Sequence, residues 1–256
     1  MPLKLLYSVL QPESVNGMAY LTLATDYDGT LATDGRVSSP TFAALDRWRE
    51  AGRKLILITG RQLDDLQTVF SQLELFDCVV VENGAVLYDP TTQAETWLAD
   101  SPPPEFVQAL RDRIQQSTPP DQARAAEFER LRNLAPLATG RVIVATWTPH
   151  DRIATQLIQE MGLDLEVILN KGAVMILPTG IDKAAGLRAA MQRLATTPAS
   201  VVGVGDAEND LAFLTLCGYA VAVNNALPSV KQQVDWVTSG DRGAGVEQLI
   251  DQLLTR

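Results

Sequence analysis

Short apolar runs bounded by turn formers alternate along the chain with longer segments in which apolar residues recur every three or four positions. Tyr20 to Thr25 is predicted as a strand, and Thr41 to Ala51 as a helix with Phe42, Leu45 and Trp48 on one stripe. Gly52 follows as the helix C-terminal residue, before a second strand at Lys54 to Ile58. Gln62 to Gln72 carries Leu63, Leu66 and Phe70 at helical spacing, and Cys78 to Val81 is a third, wholly apolar strand. The same alternation returns later with a helix at Lys183 to Ala195, a strand at Val201 to Val204, a helix at Asp210 to Cys217 and a strand at Ala220 to Val223. This is the pattern of an α/β fold, a parallel sheet covered by helices.

Between these halves the texture changes. Prolines cluster at residues 102–104 and 119–120, where they suit helix boundaries, and strands at Arg141 to Trp147 and Leu165 to Leu169 flank a helix at Asp151 to Met161. This stretch is predicted as an inserted α/β domain, with its paired crossings acting as a hinge. Met18 directly precedes the first strand, so residues 1–17 are expected to be a loosely packed extension or the product of an upstream start codon.

Composition narrows the classes. Of the 256 residues 46% are hydrophobic and 20% charged, the balance of a folded water-soluble protein. A formal charge of -10 argues against non-specific attraction to nucleic acid or an anionic membrane, and no apolar stretch reaches the ~18 residues of a membrane span. No secretory signal is evident, so a cytoplasmic location is expected. A single histidine, His150, excludes a multi-histidine metal centre, and Cys78 and Cys217, lacking C-x-x-C spacing, read as buried reduced thiols.

Four stretches carry candidate chemistry. Asp26-Tyr27-Asp28-Gly29-Thr30-Leu31 follows the first strand, where open α/β sheets place their ligand crevice. Two carboxylates one residue apart suit a nucleophile and a proton donor, though Asp-Gly is also common in acidic surface turns. Gly205-Asp206-Ala207-Glu208-Asn209-Asp210 sets two carboxylates four residues apart, a spacing that suits one magnesium ion or a capped helix start. A dinucleotide loop is disfavoured there, because Glu208 stands where the third glycine belongs. Thr59-Gly60-Arg61 offers a hydroxyl and an amide to phosphate oxygens, or is an ordinary strand-to-helix turn. Lys183 opens a helix, where a cation is unfavourable without an anion nearby unless solvent takes it.

Together these stretches resemble the haloacid dehalogenase superfamily, with D-x-D-G-T, a strand ending in Thr, a Lys and G-D-x-x-N-D in order. The insertion, entered through Glu82-Asn83-Gly84-Ala85, is similar to the α/β cap of the type IIB phosphatases. The resemblance implies a Rossmann-like core at residues 18–86 and 178–256 and a cap at 87–177. It implies a Mg²⁺-dependent phosphatase in which Asp26 attacks phosphorus to form an aspartyl phosphate and Asp28 passes the proton. Thr59 and Lys183 would hold phosphoryl oxygens; Asp26, the Asp28 main-chain carbonyl and Asp206 would bind the metal, with Asp210 as ligand or support. Gly60, Arg61 and Asn83 are candidates for the substrate, and Asn209 for orienting this shell. In the cap, Arg141, His150, Asn170 and Lys171 are candidate contacts, and Trp147 either stacks on a sugar ring or packs in the core. A small phosphorylated metabolite, a sugar phosphate by analogy, is the expected partner. A phosphotransferase or mutase, or a silent binding module, is the alternative.

Overall fold

The structure, a computed structural model, describes residues 20–117 and 137–255, so the expected N-terminal extension lies outside the described residues. Twelve strands are found among them. β1 (Thr22–Asp26), β2 (Lys54–Ile58), β3 (Cys78–Val81), β4 (Val86–Tyr88) and β5 (Glu95–Trp97) are followed by β6 (Ala138–Thr139), β7 (Val144–Trp147), β8 (Leu165–Asn170) and β9 (Ala173–Pro178). β10 (Val201–Gly205), β11 (Tyr219–Ala222) and β12 (Trp236–Val237) complete the set.

The main sheet has the order β12-β11-β10-β1-β2-β3-β4-β5, parallel from β12 to β3 and antiparallel beyond. The first three strands build toward one edge and β10 to β12 toward the other, so β1 and β10 flank the point where strand order reverses. All five residues of β1 and all five of β10 are buried, as strands covered on both faces require. Helix Ser39–Glu50 starts where Ser38 Oγ accepts from Thr41 N at 3.2 Å.

The second sheet, β6-β7-β9-β8, is antiparallel throughout. Helices Pro104–Gln116 and Asp151–Met161 cover one face, where Phe106, Leu110, Leu157, Val144 and Ile176 form a separate apolar cluster. Partners in antiparallel register share a face, so Ala145, Met175 and Ile168 lie on the other side, and Met175 and Ile168 pack against the main core. The fold is thus a Rossmann-like α/β core with an α/β cap laid on it.

Several expectations need correction. Residues 87–97 were assigned to the insertion, yet β4 and β5 extend the main sheet. The chain turns back through three successive residues of positive φ, Glu82, Asn83 and Gly84, and Val86 to Tyr88 pair with β3 and are buried. The helix expected to run to Gln72 ends at Val69, because Phe70 adopts extended backbone and sits among Tyr27, Phe42 and Phe76. The helix expected from Asp210 spans only Leu211–Leu214. Strand β9 and helix Arg242–Leu254 were not anticipated. Cys78 is buried, whereas Cys217 is only half-buried; both are free thiols.

Glu82 joins the two sheets. Its carboxylate is wholly buried and accepts three consecutive backbone N–H groups, from Arg141 at 2.8 Å, Val142 at 2.8 Å and Ile143 at 2.9 Å. A Cβ at Gly140 would lie 2.4 Å from the same carboxylate. Arg141 adds a fork to Asp64 on the core side and to Glu95 on β5.

Candidate active site

Parallel register brings the C-terminal ends of β1, β2 and β10 together, with Thr25 beside Val204 and Asp26 beside Ile58. Asp26 closes β1, Thr59 follows β2, and Asp206 follows β10; all three are buried. Lys183 reaches them from the first position of helix Lys183–Arg193, whose start is capped by the Asp182 side chain accepting from Ala185 N at 2.8 Å. Two glycines seat that helix. A Cβ on Gly84, which has φ +108°, would lie 1.8 Å from Asp182 O, and one on Gly186 would lie 2.8 Å from Gly84 Cα.

The Lys183 ammonium, 1% exposed, donates to Asp26 Oδ1 at 2.5 Å and to Asp210 Oδ1 at 2.6 Å. Asp210 Oδ2 in turn accepts from the backbone N–H of Asp206 at 2.8 Å and of Ala207 at 3.0 Å. One carboxylate therefore shapes the loop and fixes the lysine. These hydrogen bonds also explain the short helix: residues 208–210 form a tight 3₁₀ turn around the Asp210 side chain. Asp206 accepts from Lys171 Nζ at 2.6 Å and, at 3.4 Å, from Thr30 Oγ1.

Burial pushes the Asp26 carboxyl up to about 8, with Asp210 and Asp206 adding repulsion that Lys183 only partly offsets. For Lys183, burial favours the neutral amine, but Asp210 and Asp26 outweigh it and hold the ammonium above its ordinary value. Burial likewise raises Asp206 against the pull of Lys171. A cluster this rich in acid has a use for added positive charge. Asp26, Asp206 and Asp210 each offer an oxygen, all within 4.8 Å of one another, and the buried Asn209 Oδ1 accepts no hydrogen bond among the described residues. This all-oxygen donor set fits a hard divalent cation.

The remaining candidates divide. Asp28 stands outside the cluster with its side chain 46% exposed, and Arg61 grips it through Nε at 2.6 Å and Nη2 at 2.8 Å while also holding Asp65. Arg61 was a substrate candidate from the sequence; in this structure its donors are on two carboxylates instead. Thr59 Oγ1 accepts from Arg61 N at 3.1 Å, and Gly60 lies under the cap, 3.4 Å from Met175 Sδ if given a Cβ. Asn83 Oδ1 accepts from Asn209 Nδ2 at 3.0 Å, leaving Asn83 Nδ2 buried without an acceptor among the described residues.

Of the cap candidates, Lys171 reaches the site and Arg141 serves the junction described above. His150 is buried, its Nδ1 2.8 Å from Thr146 Oγ1 on the helix-covered face. Trp147 is 48% exposed rather than core, at the end of β7 on the face that carries Met175. Asn225 was missed: its Nδ2 donates to Gly29 O at 2.7 Å and stands 3.5 Å from Asp206 Oδ2. Its position just past apolar β11 was the available signal, since ligand crevices form at such strand ends.

Comparison with known proteins points to one family. A family model described as haloacid dehalogenase-like hydrolase matches residues 23–123 and 142–250. A phosphoglycolate phosphatase of Methanothermobacter thermautotrophicus is 28% identical, covering 91% of this chain and 98% of its own. An HMP-PP phosphatase of Serratia proteamaculans is 27% identical over 83% and 86% of the two chains. The solved structure of a subclass IIB sugar phosphatase superposes with a TM-score of 0.70 at 18% identity, covering 92% of this chain and 99% of the other.

Proposed function

Because the chain belongs to the haloacid dehalogenase-like hydrolases, with the fold of subclass IIB, we propose that it is a Mg²⁺-dependent phosphatase of a small phosphorylated metabolite. The observation that carries this reading is the buried Lys183 bridging Asp26 and Asp210 beside Asp206. Asp26 sits at the strand end with one oxygen on Lys183, so the ammonium orients the carboxylate and offsets its charge as it approaches a phosphate dianion. Attack by an Asp26 oxygen forms the O–P bond of an aspartyl phosphate while the ester O–P bond breaks. Asp28 gives a proton to the departing oxygen, then takes one from the water that attacks phosphorus and frees Asp26. Arg61 fixes the Asp28 carboxylate through two hydrogen bonds and so aims it for both transfers. Thr59 and the Gly60 amide would hold phosphoryl oxygens, with the Asn83 and Asn209 amides in support. A divalent ion held by Asp26, Asp206 and the Asp28 carbonyl, with Asp210 in support, would supply positive charge to the phosphoryl group.

Two substrate readings follow. A sugar phosphate has the support of the subclass IIB sugar phosphatase fold, and a short phosphorylated acid that of the relatives named phosphoglycolate phosphatase. Release of inorganic phosphate from a panel holding both kinds and an aryl phosphate, with Mg²⁺ or EDTA, tests the reading. Metal-dependent turnover lost in Asp26→Ala supports it. No turnover, or turnover only with an acceptor other than water, favours a binding module or a transferase.

A further inference from the structure

Lys171 occupies the tip of the hairpin joining β8 to β9, the part of the cap that reaches the site. The two tip residues, Lys171 at φ +47° and Gly172 at φ +91°, have the left-handed backbone of a two-residue turn. A long side chain is unusual at the first of these positions, where Asn, Asp or Gly sits with least strain. The turn sends the ammonium across the cleft to Asp206 Oδ2, 3.1 Å from where a Cβ on Gly29 would stand.

The other cations described around the site are each committed to two carboxylates: Lys183 to Asp26 and Asp210, Arg61 to Asp28 and Asp65, Arg141 to Asp64 and Glu95. Lys171 holds one, through one of its three N–H groups, and its side chain is 44% exposed. It therefore retains donors and charge for a ligand. On the cap face beside it Trp147 and Asn170, on either side of Ala173, bring polar groups, and the row behind them is apolar. Ala145, Ile168, Ala173 and Met175 present no hydrogen-bonding side chain, and Met175 comes close to Gly60. A carboxylate, unlike a sugar hydroxyl, would bring the Lys171 ammonium an opposite charge as well as an acceptor.

We propose that Lys171 reads a carboxylate on the leaving group, so that the preferred substrates are short phosphorylated hydroxy acids rather than sugar phosphates. This rests on the phosphatase reading above and narrows its substrate. The ammonium would bind the acid's carboxylate while the phosphoryl group lies over Asp26, one charge at each end of a two- or three-carbon molecule. Arg at position 171 would keep that interaction, Ala would remove it, and Glu would oppose it.

The test compares kcat/KM on 2-phosphoglycolate with that on ethyl phosphate, an ester of similar length without the carboxylate, and with that on glucose 6-phosphate. The acid-to-ethyl ratio is expected to fall about tenfold or more in Lys171→Ala, chiefly through KM, further in Lys171→Glu, and to be largely retained in Lys171→Arg. A loss acting only through Asp206 would lower both esters alike and leave the ratio unchanged, which overturns the proposal. Preference of the wild type for glucose 6-phosphate overturns it too. If the wild type hydrolyses none of the three, the phosphatase reading fails separately. The proposal then stands or falls on calorimetric Kd values: tighter binding of the acid than of ethyl phosphate, lost in Lys171→Ala, supports it, and equal binding overturns it.

Discussion

The floor of the site and the cap face above it are built on opposite terms. On the floor, Asp26, Lys183 and Asp210 are buried and lock one another in place through hydrogen bonds at 2.5 and 2.6 Å. On the cap face, Lys171 and Trp147 are 44% and 48% exposed, and the hairpin tip that carries the lysine is two residues long. Groups that must meet phosphorus the same way every time gain from burial, because no water competes and no rotamer search is needed. Groups that meet a variable leaving group gain from a tip whose side chain can change without disturbing a core.

Breaking the floor should have the largest effects. Asp26→Asn removes the nucleophile and is expected to lower Mg²⁺-dependent phosphate release by about 10³-fold or more, while the protein stays folded by circular dichroism. Lys183→Met leaves two buried carboxylates without their cation and should destabilise the fold by about 3–5 kcal/mol in urea unfolding at neutral pH. At the junction between floor and cap, Glu82→Gln turns one acceptor into a donor facing backbone N–H groups. About 1–3 kcal/mol of stability should be lost, and hydrogen exchange at the amides of residues 141–143 should quicken. On the cap face, Trp147→Ala should change stability by no more than about 0.5 kcal/mol in the same urea titration, since the ring is half exposed.

Acidity sharpens the contrast, because the two regions answer it with opposite sign. Burial raises the Asp26 carboxyl to about 8 in the folded protein, above its ordinary 3.8. In EDTA its contribution should thus weaken as pH rises between those values. His150 in the cap is held below its ordinary 6.5 by burial, against the pull of Asp151. Its contribution is complete above that pH and lost as acid is added below it. Urea midpoints across pH 4 to 9 for the wild type, Asp26→Asn and His150→Gln would separate the two slopes.

Much of the floor was legible because three of its residues sit at the ends of apolar runs: Asp26 after Thr22–Thr25, Thr59 after Lys54–Ile58, Asp206 after Val201–Gly205. Periodicity finds the strand, and chain order then finds the residue. The junction was not legible in this way. Glu82 binds amides some 60 positions along the chain, and amides leave no mark in a sequence. The β4–β5 hairpin escaped notice because three-residue strands are shorter than any reliable alternation. Lys171 was one of four polar cap candidates, and only the fold shows that its tip, alone of the four, reaches Asp206, 35 residues away.

The Glu82 carboxylate grips the insertion by its main chain, and that bears on how the chain can change. Arg141, Val142 and Ile143 contribute N–H groups that any residue except proline would supply, whereas Gly140 has no room for a side chain. The grip on the main chain therefore asks of these three side chains only that none be proline, and it fixes Glu82 and Gly140 themselves. A different cap keeping one glycine ahead of three free amides could be grafted onto this core at the same socket, so that new specificities arise without redesigning the machinery beneath.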